Sequence, residues 1–372
     1  MTDHNQEILS NDARPSGTDR RGFFRLAGAA AVVSGAGLAM AAPANRRLTE
    51  KEKFMRLAAN SYPLRFLFKS QDEDDAADPK TAQMKKKYGT ITALDYPQFV
   101  KDTFPGLYQL DLWSSLFGDR ADESMFEKQT ISYNGREHVI REFNPAAPSA
   151  RKWLDQFASK LAATGTRLHH ISNNAPRDIC HLDIEKRKAG IAVAKKWLDG
   201  AAIVGAKTMR VNTGGPRIVP SATTNQSGYP RNEELAQYIT NAVESFKEMA
   251  DHGAKAGVKV TIENHWGLSA NPSNVRAILE EVNHPFCEAS PDFCNWEHEY
   301  MLYHGLAELA PYAHTTVHAK YWDRWKVNDI QRSTRVMIEN GFKGVFALEY
   351  ENGPWDGVEG ERYLLKEVMA AL

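Results

Sequence analysis

Four residues able to do chemistry stand at the ends of four apolar runs in the C-terminal half of the chain. They are Glu263 in "VKVTIENHWG", Asp292 in "FCEASPDF", His318 in "HTTVHAK" and Glu349 in "VFALEYE". Each follows apolar or alternating residues, the pattern of a strand with a buried body and a polar end. Three carboxylates and an imidazole gathered in one buried place would be costly to leave unpaired, since desolvating each charge costs several kcal/mol. A divalent cation resolves that cost. The mostly hard oxygen set suits Mn2+ first, then Mg2+ or Co2+, and the single imidazole leaves Zn2+ open.

Two more polar residues share the period-2 spacing. His265 lies two residues after Glu263 and Lys320 two after His318, so along a strand each faces the same side as its neighbour and is a candidate for substrate contact. His169, His170, Arg210, Asn212 and Trp113 lie on earlier strand candidates and read as core or rim residues. Trp266, Trp296 and Trp322 flank the motifs, either as faces for the C–H bonds of a ligand or as rim packing.

The elements that must position these groups alternate regularly from residue 50 onward. Strand candidates fall at 55–66, 107–113, 167–172, 208–213, 258–264, 286–293, 314–320 and 345–351. Amphipathic stretches separate them, several ending in glycine just before the next strand, as in "AATGTRLHH" and "AKAGVKVTI". Eight strand–helix units predict an α/β fold, a single (β/α)8 barrel, in which neighbouring strand ends converge on one face. No G-x-G-x-x-G follows the first strand, which argues against a dinucleotide-binding open sheet. Three long segments, 69–94, 114–149 and 214–231, would lie on the catalytic face. The second carries Asn134-Gly135 between alternating residues, a hairpin signal, and the charge run "DEDDAADPKTAQMKKK" in the first reads as a solvated loop.

Residues 1–45 are set apart from the barrel at 46–372. "TDRRGFFRLAGAAAVVSGAGLAMAAPA" joins paired arginines to an Ala/Gly-rich apolar run and then Ala-Pro. Arg20 and Arg21 resemble a twin-arginine signal, which implies the export machinery as a partner, a periplasmic location and export of an already folded, cofactor-loaded protein. The run from 26 to 42 is broken by glycines and a serine, so a permanent membrane span is not expected. With 46 basic and 47 acidic residues the chain lacks the uniformly basic surface of a nucleic-acid binder. Its three cysteines, with no C-x-x-C pair, indicate buried thiols.

"TIENHWG", "SPDFCNW", "TTVHAKYWD" and "FALEYENG" resemble the successive strand-end motifs of the sugar phosphate isomerase/epimerase superfamily, the xylose isomerase-like TIM barrels, over residues 55–372. By that resemblance Glu263, Asp292, His318 and Glu349 are metal ligands, and Arg324 stands where ketose epimerases carry a substrate-binding arginine. Asn295 stands where those enzymes carry a histidine, so an amide would meet the substrate there. The AP endonucleases of the same fold assemble a larger His-rich zinc site and a DNA-binding face, neither of which is evident here. The implied reaction on a small carbohydrate removes a proton beside a carbonyl, stabilises the enediolate and returns the proton, with Glu263 and Glu349 as carriers. A lyase or dehydratase acting on oxidised sugars or keto-glycosides, and a non-catalytic carbohydrate-binding barrel that keeps the metal, remain alternatives. A homo-oligomer is also open.

Overall fold

The computed structural model describes residues 47–69, 79–133, 136–215 and 232–372. The export-signal expectation at 1–45 lies outside the described residues, as do Asn134 and Gly135.

Ten strands follow in chain order: β1 (Leu57–Asn60), β2 (Gln109–Trp113), β3 (Phe126–Tyr133), β4 (Arg136–Phe143), β5 (Arg167–Ser172), β6 (Thr208–Arg210), β7 (Lys259–Ile262), β8 (Cys287–Ala289), β9 (Thr316–Trp322) and β10 (Val345–Asn352). Eight of them form one parallel sheet in the order β8-β7-β6-β5-β2-β1-β10-β9. The ring closes just beyond β8, where His318 N donates to Pro291 O at 2.9 Å and Phe293 N to His318 O at 3.1 Å. The expected (β/α)8 barrel is therefore the fold. β3 and β4 form a separate antiparallel hairpin whose ladder ends at Tyr133 opposite Arg136, bracketing the Asn-Gly dipeptide read as its turn.

The strands are shorter than the apolar runs suggest. β1 ends at Asn60 because the chain turns back at once, with Leu64 N donating to Ser61 O. β8 stops at Ala289 because Pro291 has no N–H to continue a ladder, so Asp292 sits on irregular backbone past the strand. The charge run is not all loop: Pro79–Tyr88 is a helix that buries Thr81 and Met84 and places Lys85, Lys86 and Lys87 at its C-terminal, electronegative end.

Helices after each barrel strand cover the outside. Asp183, Asn271, Asp329 and Asp356 cap four of them, each side chain accepting a backbone N–H from the first turn. Gly165 ends Pro148–Thr164 in the left-handed region at φ 68° and returns its N–H to Leu161 and Ala162, as the glycine spacing predicts. Among the described residues no helix is long and apolar enough to cross a membrane.

The two faces of the strands differ. Leu110, Leu112, Met209, Val260, Ile262, Val317, Phe346 and Leu348 belong to the large apolar layer beneath the helices. Inside the ring, among the described residues, Ala58, Val345 and Ala347 make a small apolar cluster. The rest of the interior is polar. Thr208 on β6 meets Thr316 on β9 at 3.0 Å, a contact that crosses the barrel because those strands are not neighbours.

Candidate metal centre

Glu263 follows the last residue of β7 and is 2% exposed. Its Oε2 accepts from Arg210 Nη1 at 2.8 Å and lies 3.0 Å from His318 Nδ1, while its Oε1 accepts from Asn295 Nδ2 at 3.0 Å. Burial alone would raise this carboxyl, but Arg210 and His318 outweigh it and hold Glu263 well below the usual carboxylate range. The loop beyond is fixed to the loop after β6 by Leu268 N donating to Gly214 O. Gly267, at φ 67°, is required there, since a Cβ would fall 2.1 Å from that same oxygen.

Asp292 is fully buried. The Asn264 side chain clamps its backbone from both sides, Asn264 Nδ2 donating to Asp292 O at 2.9 Å and Asp292 N to Asn264 Oδ1 at 2.7 Å. Asp292 Oδ1 accepts from the backbone N–H groups of Cys294 and Asn295, which leaves Oδ2 aimed inward without a hydrogen bond. Burial pushes Asp292 up to about 7, with Glu349 and Glu263 adding to the rise and Lys320 opposing it.

His318 stands between two carboxylates. Nε2 lies 3.0 Å from Asp111 Oδ2 on β2, and Nδ1 faces Glu263 but forms no aligned hydrogen bond. Burial opposes its charged form, yet Glu263 and Asp111 hold it well above the ordinary imidazole range.

Lys320, only 2% exposed, is the hub of the other half. Nζ lies 2.9 Å from Glu349 Oε1, 3.2 Å from Glu351 Oε2 and 3.4 Å from Asp292 Oδ2, and donates to Asn295 Oδ1 at 3.1 Å. Asp292, Glu349 and Glu351 keep this ammonium charged despite its burial. Asn295 thus joins the halves, its N–H2 turned to Glu263 and its oxygen to Lys320. The amide supplies both roles at once, a donor on nitrogen and an acceptor on oxygen.

Glu263, Asp292 and His318 bring one ligand atom each within 4.8 Å of one another. Five carboxylates (Asp111, Glu263, Asp292, Glu349, Glu351) face three basic groups (Arg210, His318, Lys320). The surplus of negative charge, with two buried ligand atoms lacking a hydrogen bond, fits a divalent cation between Glu263, Asp292 and His318. Glu349 stands beside this group but is tied to Lys320.

The remaining candidates lie farther out. His265 Nδ1 is buried without a hydrogen bond, and burial pulls the imidazole down to about 3, so the ring is neutral. Arg324 is at the rim, donating to Trp296 O, its guanidinium 4.2 Å and 4.4 Å from the ring centroids of Trp322 and Trp325. Trp296 is a core residue, its Nε1 donating to Phe293 O. Lys320 and Asn295 both have protein partners here, Glu349, Glu351 and Asp292 for the first and Glu263 and Lys320 for the second. The sequence reading passed over Asp111, Asn264 and Glu351 and took Arg210 for a core or rim residue. Asp111 and Arg210 carried a signal, since each is a charged residue at an inward position of an otherwise apolar strand, in "QLDLW" and "TMR". Asn212 continues the parity of Arg210, and both its side-chain polar atoms are buried without partners.

A model of the family described as xylose isomerase-like TIM barrel matches residues 130–370. No curated protein sequence matches the chain. Among solved structures, 3-keto-D-glucoside 4-epimerase from E. coli is similar at 12% identity and TM-score 0.55, covering 85% of this chain and 99% of that one. A D-allulose 3-epimerase from Methylomonas sp. is similar at 12% identity and TM-score 0.55, with 86% and 99% covered. A xylose isomerase-like TIM barrel protein from Mycobacterium smegmatis, in complex with magnesium, is similar at 16% identity and TM-score 0.52, with 86% and 98% covered.

Proposed function

The chain belongs to the xylose isomerase-like TIM barrel family, and on that premise we propose that it is a divalent-metal-dependent sugar isomerase or epimerase. The observation that carries this reading is the convergence of Glu263, Asp292 and His318 with two inward ligand atoms left without hydrogen bonds. Glu263, Asp292 and His318 would hold the cation, and Glu349, now paired with Lys320, would be the fourth ligand. When bound, the cation supplies Lewis-acid stabilisation of the charge that develops on the carbonyl oxygen. Mn2+ is the first ion to try.

Glu263 and Glu349 stand three positions apart around the ring and are unequal. Arg210 and Asn295 bind both oxygens of Glu263 and make it a weak base, so the first proton transfer falls to Glu349. Delivery of a proton by Glu263 to the opposite face of the same carbon gives epimerisation, for which Glu263 must first take up a proton from solvent and Glu349 must afterwards release the one it removed. Return by Glu349 to the neighbouring carbon gives isomerisation. The neutral His265 and the amide of Asn212, both with buried polar atoms lacking hydrogen bonds, would bond substrate hydroxyls, and Arg324 would contact substrate from the rim.

The test is proton exchange. Purified protein with Mn2+ and a panel of ketoses and keto-glycosides in D2O is followed by NMR. Deuterium appearing beside the carbonyl with retained mass supports the reading; loss of water or of an aglycone points to a lyase, and bound sugar with no exchange points to a binding barrel. We also propose that residues 1–45 direct export through the twin-arginine route. Arg20→Lys with Arg21→Lys should keep the protein in the cytoplasm, and an unchanged periplasmic fraction would refute this.

A further inference from the structure

His318 is shared by two groups of buried residues. On one side lie Glu263 and Asp292; on the other, Asp111 and His170 come within the same 4.8 Å spread of ligand atoms. The two sides differ in what their atoms still have to offer. Asp111 is saturated: Oδ1 accepts from Ser172 N at 3.1 Å, and Oδ2 accepts from Asn60 Nδ2 at 2.8 Å and Ser172 Oγ at 2.9 Å, besides meeting His318 Nε2 at 3.0 Å. Asp292 Oδ2 and His318 Nδ1, on the other side, have no hydrogen bond. The Asp111 carboxylate is built into a cradle of donors and Asp292 keeps an open oxygen, while His170 Nε2 on the first side is also buried without a hydrogen bond.

We infer that Asp111 is a positioning residue that fixes the His318 imidazole, holding the proton on Nε2 and turning Nδ1 toward Glu263 and Asp292. The inference rests on the metal reading above. It follows from the connections of Asp111, which tie β2 to Asn60 on β1, Ser172 at the end of β5 and His318 on β9, so the imidazole is braced from three strands. Asn60 is itself held, its Oδ1 accepting from Tyr62 N and its backbone N donating to Glu361. Such a carboxylate–imidazole contact selects the ring tautomer and raises ligand basicity, and its loss weakens metal binding about 10- to 100-fold. His170 belongs to this side through its ring: Nδ1 meets Thr208 Oγ1 at 2.7 Å, the ring stands edge-on to His318, and Nε2 is buried without a hydrogen bond.

The test compares wild type, Asp111→Asn, Ser172→Ala and His170→Ala in the full chain by Mn2+ titration against a competing chelator, with 15N NMR of the His318 side chain as a readout that needs no metal. Asp111→Asn should bind Mn2+ about 10- to 100-fold more weakly and shift the His318 Nε2 signal. Ser172→Ala, which removes one donor from the cradle and serves if Asp111→Asn does not fold, should weaken binding several-fold. His170→Ala should keep a single Mn2+ of wild-type affinity. Wild-type Mn2+ affinity and an unmoved Nε2 signal in Asp111→Asn would overturn the inference. So would a second bound Mn2+ that disappears in His170→Ala, because Asp111 would then be a ligand. A wild type that binds no Mn2+ while Asp111→Asn still moves the Nε2 signal would defeat the metal reading and leave the positioning role standing.

Discussion

The same eight strands present two opposite surfaces. Outward, Leu110, Met209, Val317 and Phe346 join a continuous apolar layer under the helices; inward, Asp111, Arg210, His318 and Glu349 form a buried network of charge. The outer surface gains by removing apolar area from water and depends on shape. The inner surface gains little from burial and depends on every charge having its partner. One surface holds the fold and the other holds the chemistry, and substitutions should separate them.

The largest separation is expected at neighbouring residues of β10. Glu349→Gln should cut turnover by about 10²- to 10⁴-fold, the range for losing a positioned proton carrier, while the thermal unfolding transition stays near wild type. Phe346→Ala, on the opposite face, should cost about 3–5 kcal/mol in denaturant unfolding, with metal stoichiometry unchanged. Equal loss of stability in both would break the comparison.

Lys320 sharpens it. Lys320→Met leaves Glu349, Glu351 and Asp292 without their shared cation and should destabilise the metal-free protein by about 3 kcal/mol. Added Mn2+ should recover more stability in this variant than in wild type, as read from unfolding midpoints.

The pH dependence should also set the faces apart. The Asp292 carboxyl, raised to about 7, holds a proton in the folded chain that the unfolded chain releases near the usual carboxylate value, so the metal-free protein loses stability as pH rises from about 4 to about 7. Asp292→Asn should flatten that slope. Metal binding needs ionised Asp292 and a free His318 Nδ1, so Mn2+ affinity should climb as pH rises to about 7 and, because Glu263 and Asp111 hold the His318 proton, beyond it, with proton release measurable by calorimetry in buffers of different ionisation enthalpy. The smallest effect belongs to the rim: Arg324→Ala should change stability by less than about 1 kcal/mol and raise KM several-fold.

The outer face was legible in the sequence because alternating apolar residues carry the period of a strand, and the ring order followed from strand–helix alternation. Glu263, Asp292, His318 and Glu349 were legible as polar ends of apolar runs. What escaped was contact between distant strands. Nothing local in "QLDLW" says that Asp111 meets His318, 207 residues away, or that Asn295 spans Glu263 and Lys320. The strand ends at β1 and β8 were overextended because a run such as "CEASPDF" keeps its polarity pattern through a proline that breaks the ladder.

The central claim is that the polar interior holds one divalent cation at Glu263, Asp292 and His318. Metal content after equilibrium dialysis against Mn2+ tests it most directly, in wild type, Glu263→Gln and His318→Ala, with folding of each checked by circular dichroism. The account predicts a single Mn2+ per wild-type chain and its loss from both folded variants. Full occupancy in both variants would contradict it.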